Sequence, residues 1–167
     1  MDNFHNSFPT AIERVEQIAR DQLPSDATQA QKDACKVDVV KSDLRERNSF
    51  SDVFKKYTGD NAIYAVILVA ALKAVGESGE IPIDYYDVNI SGLVNLLRAM
   101  REAKVTRFVY SSSATVYGTP KQIPIPETSP LQAESVYGRT KQMGEIIIKD
   151  VCDAYPDFRA MSLRYFK

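Results

Sequence analysis

The amino-acid sequence predicts an α/β domain built on a parallel sheet. Short runs of apolar and β-branched residues alternate with longer segments whose apolar residues recur at helical spacing, which is the pattern of βαβ units. Asp43, Lys73 and a triplet of serines each lie at the carboxyl end of a predicted strand. Because ligands bind at the carboxyl ends of the strands in such sheets, these positions indicate one candidate site.

Composition narrows the classes of function. The chain has 167 residues, of which 44% are hydrophobic, enough for one domain with a sizeable core. A net charge of −1 gives no electrostatic reason to expect nucleic acid or an anionic membrane as a partner. The longest apolar run, residues 62–72, is too short to span a bilayer.

Cysteine and histidine content argue against metal and disulfide sites. Cys35 and Cys152 form neither a disulfide framework nor a metal-spaced cluster, which favours a reducing compartment. His5 is the only histidine, which argues against a His-based triad or a zinc site. With no secretory signal at the N-terminus, we expect a cytoplasmic protein without a metal.

The first half of the chain is predicted to hold two strands among polar connections. Pro9 suits the start of an amphipathic helix, and residues 21–36 are typical of a polar surface excursion with some helical character. A short strand is predicted at residues 37–40 and a short helix at 51–57. Residues 64–71 are nearly all apolar, which predicts a strand buried on both faces.

The second half is predicted to alternate helices and strands around a proline-rich loop. Residues 73–78 predict a loop, and Pro82 suits the start of a long helix to about residue 103, because its apolar residues recur at helical spacing. A strand is predicted over residues 106–110 and a loop over 119–134. A helix is predicted over residues 137–153 and a final strand over 159–165.

Residues 111–141 hold groups suited to proton transfer in nucleotide-dependent redox chemistry. Tyr137 and Lys141 are four residues apart, so a helix places them on one face. An ammonium beside a phenol favours the phenolate, so we expect Lys141 to lower the pKa of Tyr137 and make it a usable base. A hydroxyl of the serine triplet would hold the substrate oxygen.

Several separated segments form one recognisable set. They are Ala71-Leu-Lys-Ala-Val-Gly-Glu-Ser78, Tyr85-Tyr86, Asn89, Ser111-Ser-Ser-Ala-Thr-Val-Tyr-Gly118, Tyr137-Gly-Arg-Thr-Lys141 and Leu163-Arg-Tyr-Phe166. This set closely resembles the UDP-glucose 4-epimerase family of the extended short-chain dehydrogenase/reductases. The resemblance covers almost the whole chain except the excursion near residues 21–36.

The resemblance implies an NAD-binding Rossmann domain that interconverts UDP-glucose and UDP-galactose in galactose metabolism. Tyr137 would take the proton of the sugar 4-hydroxyl while hydride passes to NAD, and the 4-keto sugar would receive hydride on its other face. Ser113 would bind the reacting oxygen, and Lys141 would bind the nicotinamide ribose and tune Tyr137. The family also implies a homodimer through helices including those at residues 85–103 and 137–153.

The resemblance further assigns contacts with the cofactor. The residues implied along the adenosine ribose are Asp2, Asn3, Asn6 and Ser7, and those near the adenine are Asp43 and Leu44. The residues implied to line the rest of NAD are Val69, Ala70, Ala71, Leu72, Lys73, Asn89 and Phe166. Among these, Lys73 would lie near the phosphates and Phe166 would border the nicotinamide.

The sequence departs from the family at both ends. None of its seven glycines forms the Gly-x-x-Gly-x-x-Gly turn that approaches the pyrophosphate. We therefore expect residues 1–167 to form a partial Rossmann domain that lacks the first two strands, the glycine-rich turn and the sugar-nucleotide domain. The strand at 64–71 should then be an edge strand, and the chain alone should fold poorly, bind NAD weakly and be inactive.

Two other functions stay open. One is another sugar-nucleotide enzyme of the same superfamily, such as a 4,6-dehydratase or a different epimerase. Dehydratases tend to carry acidic groups just after the serine of the strand end, whereas Ala114-Thr115-Val116 follows here. The other is a non-catalytic remnant that acts only through contact with a partner.

Overall fold

In the computed structural model, which describes residues 1–166, the chain divides into two compact units. The first, Met1–Asp43, contains the helices α1 (Pro9–Asp21) and α2 (Gln29–Asp33). Pro9 occupies the first turn of α1, where its missing N–H leaves no helical hydrogen bond unmade. Thr28 caps α2 in a reciprocal hydrogen-bond pair with Gln31. Both helices lie where the sequence predicts helical character.

The strand predicted over residues 37–40 does not form, so this prediction is wrong. A single parallel bridge joins Asp2 to Lys41, and the Asp2 N–H donates to the Val40 carbonyl at 3.2 Å. Val39 is 46% exposed. A strand needs a neighbour that continues the hydrogen-bond ladder. Within the described part of the first unit, that ladder stops at this one bridge.

The second unit, which begins at Leu44, alternates helices and strands. Its helices are α3 (Ser49–Lys56), α4 (Val75–Glu80), α5 (Pro82–Tyr86), α6 (Gly92–Glu102) and α7 (Val136–Ala154). Its strands are β1 (Val66–Leu68), β2 (Arg107–Ser113) and β3 (Arg159–Tyr165). A π turn at Asp87–Ser91 joins α5 to α6, and 3-10 turns occur at Gly59–Asn61 and Ala114–Tyr117. None of the described helices has the length and apolar composition that crossing a membrane requires.

The strands form one parallel sheet in the order β1-β2-β3, which confirms the predicted α/β class. Burial alternates along the central strand β2, because successive side chains point to opposite faces. On one face, Phe108 and Tyr110 are 2% and 1% exposed. They belong to the same buried cluster as Leu93 and Met100 of α6. The core therefore lies between this face and the helices.

The strand predicted over residues 64–71 is shorter and more exposed than expected. Only residues 66–68 pair, and Ile67 and Val69 are 68% and 69% exposed, so burial on both faces is wrong. The expectation of an edge strand is confirmed, since β1 pairs with β2 alone among the described strands. An apolar segment is buried on both faces only where helices cover both sides of the sheet.

The loop predicted over residues 73–78 is also wrong, because most of this segment belongs to α4. Its glycine disfavours a helix, but tertiary contacts hold it. Ser78 is fully buried, and its hydroxyl donates to the Val75 carbonyl at 2.5 Å and accepts from the Tyr137 backbone N–H at 3.1 Å. The helix is therefore anchored to the start of α7.

The later elements agree closely with the sequence. The long helix from Pro82 is present with the π turn in its middle, the helix predicted from Tyr137 is α7, and the last strand has the predicted bounds. The strand predicted over 106–110 continues through the serine triplet, because β3 pairs with β2 as far as Ser113.

Gly118 provides a test of this fold. Its φ is +63°, and a Cβ there would lie 2.1 Å from the carbonyl oxygen of Gln132. We predict that Gly118→Ala lowers the free energy of unfolding by roughly 2–4 kcal/mol, since strain and a backbone clash combine. Urea denaturation of the chain measures this.

The matched control is Gly76→Ala. Gly76 lies in α4, and an added Cβ there would meet nothing within 4 Å, so stability should be unchanged or raised by up to about 1 kcal/mol. Equal destabilisation by the two substitutions would contradict the turn geometry at Gly118.

Candidate active site

The hydroxyl of Ser113 lies where β2 ends. Strand pairing continues to this residue, opposite Tyr165 of β3, and Ser113 then caps the 3-10 turn that follows. Its Oγ accepts hydrogen bonds from the Thr115 backbone N–H at 3.2 Å and from the Thr115 hydroxyl at 3.0 Å. These contacts fix the oxygen at the carboxyl edge of the sheet.

Helix α7 brings Tyr137 to the same edge. Ser135 caps the helix by accepting a hydrogen bond from the Gly138 backbone N–H at 2.9 Å. A Cβ at Gly138 would lie 2.9 Å from the Thr115 carbonyl oxygen, so glycine allows the helix to approach the turn closely. The side chain of Tyr137 thereby lies close to that of Ser113.

Lys141 lies one helical turn after Tyr137 and is almost fully buried, at 3% exposure. Its Nζ donates a hydrogen bond to the Ser111 carbonyl oxygen at 2.8 Å. The same atom lies 4.9 Å from the ring centroid of Tyr110 and 5.8 Å from that of Tyr137. The predicted spacing thus places Tyr137 and Lys141 side by side, with Ser113 at the end of the facing strand.

The electrostatics of the pair differ from the expectation. Burial lowers the pKa of Lys141 to about 8, because a charged ammonium is disfavoured away from water. Burial also raises the pKa of Tyr137, and the nearby hydroxyl of Ser113 opposes that rise. The predicted lowering of the tyrosine pKa is therefore wrong for this structure. Desolvation is the largest influence on this phenol, and the hydrogen bond of the Lys141 ammonium goes to a backbone carbonyl.

Asn89 lies in the π turn and is 4% exposed. Its Oδ1 accepts from the Leu72 backbone N–H at 2.9 Å, and its Nδ2 donates to the Leu72 carbonyl at 3.0 Å. Nδ2 also donates to the Thr140 hydroxyl of α7 at 3.0 Å. Both ends of the amide are therefore occupied by the protein, and Asn89 ties the segment after β1 to α7. Its expected contact with the cofactor stays a prediction.

A polar network that sequence reasoning missed lies behind Ser113. Arg164 of β3 forms a two-pronged ion pair with Glu145 of α7, with nitrogen–oxygen distances of 2.9 and 2.7 Å. The Ser112 hydroxyl donates to the same carboxylate at 2.6 Å, and Arg164 donates to the Tyr117 hydroxyl at 2.8 Å. Glu145 stands four residues after Lys141, which was the available signal. Its partner Arg164 lies 19 residues further along the chain, so spacing along a helix could not predict this ion pair.

The remaining residues expected near the cofactor lie at strand ends. Residues 69–73 follow β1, and their side chains are exposed or half-buried. Phe166 follows β3, is 63% exposed and stacks on Tyr117 with ring centroids 6.4 Å apart. Leu44 packs against the core of the second unit. The binding roles of these residues stay predictions.

The residues expected near the adenosine cluster within the first unit. The Asp2 Oδ1 accepts from the Phe4 backbone N–H at 2.6 Å and from the Ser7 hydroxyl at 2.7 Å. The hydrogen bond from Ser7 is the main reason that the pKa of Asp2 lies below its usual value. Asn3 Nδ2 donates to Asp43 Oδ2 at 2.9 Å, and the side chain of Asn6 is exposed.

Known proteins that are similar to this chain in sequence identify its family. Residues 10–167 match the NAD dependent epimerase/dehydratase family. A UDP-glucose 4-epimerase of Pisum sativum is 40% identical over 166 residues, which are 99% of this chain and 43% of the relative. The UDP-glucose 4-epimerase of Homo sapiens is 36% identical over 173 residues, with 99% and 44% covered.

A solved structure agrees with the sequence comparison. The crystal structure of UDP-glucose 4-epimerase from Bifidobacterium longum, in complex with NAD+ and UDP, superposes with a TM-score of 0.85 at 41% identity. The superposition covers 99% of this chain and 44% of the other, so the chain spans less than half the length of the relatives it matches. The chain belongs to the NAD dependent epimerase/dehydratase family.

Proposed function

We propose that the chain supplies the proton-transfer groups of an NAD-dependent epimerase that acts at C4 of UDP-glucose and UDP-galactose. The observation that carries the proposal is the position of Tyr137 beside Ser113 at the carboxyl edge of the sheet, with the buried Lys141 Nζ 5.8 Å from the ring centroid of Tyr137. This arrangement supports a base that exchanges a proton with a sugar hydroxyl. The Bifidobacterium longum relative was crystallised with NAD+ and UDP, which supports the same cofactor and substrate class here.

Each side chain has a separate task in the proposal. The deprotonated Tyr137 oxygen accepts the proton of the sugar hydroxyl, and the resulting phenol later returns it. Ser113 orients the reacting oxygen, since its own Oγ is fixed by two hydrogen bonds from Thr115. The Lys141 ammonium, 5.8 Å from the ring centroid of Tyr137, would stabilise the negative charge that the Tyr137 oxygen carries when it is deprotonated.

The described residues fit part of NAD. Ser113, Tyr137, Lys141 and the exposed ring of Phe166 suit the nicotinamide and its ribose. Asp2 suits an adenosine ribose, because both of its described hydrogen bonds end on Oδ1 and Oδ2 can accept from ribose hydroxyls. When bound, NAD would accept hydride at its nicotinamide, and the cationic oxidised ring would add to the charge that favours the Tyr137 phenolate.

The pyrophosphate lacks a matching cradle among the described residues. A backbone cradle needs glycines that let the chain approach a phosphate closely. Gly76 and Gly79 lie within α4, and an added Cβ at either would meet nothing within 4 Å. We therefore predict weak NAD binding by the 167-residue chain. A calorimetric titration that gave a micromolar Kd would contradict this prediction.

The function is tested with Tyr137→Phe. The assay follows conversion of UDP-galactose to UDP-glucose by the polypeptide that carries this chain together with any flanking coding sequence. Loss of the phenolic oxygen removes the base, so turnover should fall by about 10²–10⁴-fold. The control is Tyr64→Phe, whose side chain is 71% exposed and which should leave turnover unchanged.

Other outcomes of this assay favour the alternatives. Undiminished turnover in Tyr137→Phe would remove Tyr137 as the base. Conversion of a different nucleotide sugar, with UDP-galactose left unchanged, would favour another enzyme of the superfamily. No turnover of any nucleotide sugar by the parent polypeptide would favour a non-catalytic role.

The buried lysine also predicts a pH dependence of stability. The pKa of Lys141 is about 8 in the folded state against an ordinary 10.5, so the unfolded chain binds more protons between these values. Stability should therefore rise with pH across this window by about 3 kcal/mol relative to Lys141→Met. Urea denaturation of both chains at pH 7, 8.5 and 10 measures the difference.

The control for the pH series is Lys73→Met, which removes an exposed lysine. Its difference from the parent chain should be the same at each pH. If the free energy of unfolding of the parent chain, relative to that of Lys141→Met, stays constant or falls as pH rises, burial of the ammonium would be contradicted.

A further inference from the structure

Tyr110 is a buried residue with no assigned role. It lies on the central strand β2, is 1% exposed, and its hydroxyl has no hydrogen-bond partner among the described residues. A buried tyrosine hydroxyl normally finds a partner, since leaving one unmade is unfavourable. The hydroxyl even needs a glycine beside it, because a Cβ at Gly144 would lie 2.3 Å from the Tyr110 oxygen. What Tyr110 contributes here must therefore come from its ring.

The ring of Tyr110 faces the Lys141 ammonium, which has few other hydrogen-bond or ion-pair partners. The Lys141 ammonium has three N–H donors, and the Ser111 carbonyl accepts one of them at 2.8 Å. Among residues 1–166, no carboxylate pairs with this ammonium, and burial alone displaces its pKa. Its Nζ lies 4.9 Å from the Tyr110 ring centroid, within the range of a cation–π contact.

We propose that Tyr110 is a positioning residue, whose ring face holds the Lys141 ammonium beneath Tyr137. The ring is suited to this task because β2 is paired on both sides, with β1 and β3, so its side chains have a fixed direction. The Ser111 carbonyl on the same strand supplies the second contact. Together they aim a flexible lysine at the site without a carboxylate that would neutralise its charge.

The proposal depends on the proposed function only in that Lys141 belongs to the catalytic set. The titratable groups that act electrostatically on Tyr110, beside this ammonium, are Tyr137 and Glu145 of α7, and Arg164 of β3 is the ion-pair partner of Glu145. Glu145 is already bound by Arg164 and Ser112. Its charge is therefore expected to stay constant while Lys141 titrates.

The test measures the pKa of Lys141 by nuclear magnetic resonance of isotopically labelled lysine in the polypeptide that carries this chain together with any flanking coding sequence. The Lys141 signal is assigned by its absence in Lys141→Arg. Tyr110→Phe keeps the ring and should leave the acid dissociation constant of Lys141 unchanged. Tyr110→Leu removes the ring and should increase that constant about tenfold, because the ammonium loses its attraction to the ring.

The sign of the change separates positioning from packing. If Tyr110 served only to exclude water, the leucine variant would admit water and the pKa of Lys141 would rise toward the ordinary value of lysine. A rise or no change therefore overturns the proposal. Phe108→Leu is the matched control, because Phe108 is 2% exposed on the same face of β2. It should leave the pKa of Lys141 unchanged.

A second substitution guards against misfolding of the leucine variant. A fluorinated phenylalanine at position 110 keeps the shape of the ring but weakens its negative face. It should lower the pKa of Lys141 in the same direction as Tyr110→Leu, and an unchanged pKa would overturn the proposal. Because this readout needs no turnover, a failed epimerase assay and a failed test of Tyr110 are separate results.

Discussion

The ion pair between Glu145 and Arg164 is the contact on which the geometry of the site depends. It joins α7 to β3, and through the hydroxyls of Ser112 and Tyr117 it also holds β2 and the 3-10 turn. A charged pair withdrawn from water is stable only when its remaining donors and acceptors are satisfied. Here both carboxylate oxygens and all three guanidinium nitrogens have partners. The strand ends and the helix are thus fixed relative to each other.

The proton-transfer groups differ from this network in how their charge is compensated. Lys141 has a carbonyl and two aromatic rings around it in place of a carboxylate. Its ammonium keeps its charge at neutral pH but is close to losing it. Burial raises the pKa of Tyr137 instead of lowering it. A resting phenol of this kind becomes a base when a further positive charge enters the site.

Two glycines of α7 allow this helix to pack closely against β2 and the 3-10 turn. Gly138 lets α7 approach the 3-10 turn, and Gly144 makes room for the ring of Tyr110. On the opposite side of α7, Asn89 and Ser78 tie the helix to the segment after β1 and to α4. The helix that carries Tyr137 and Lys141 is consequently held on several sides, whereas β1 is a short edge strand.

The sequence by itself determined the class of fold, the bounds of α7 and β3, and the residues of the proton-transfer set. These features follow from local periodicity and from a four-residue spacing that a helix converts into contact. Tertiary structure decided what periodicity cannot express. It made a helix of the glycine-containing segment before Pro82, formed no strand at residues 37–40, and exposed Ile67. It also decided the direction of the Tyr137 pKa and the partner of Glu145, because desolvation and pairing depend on which distant segments meet.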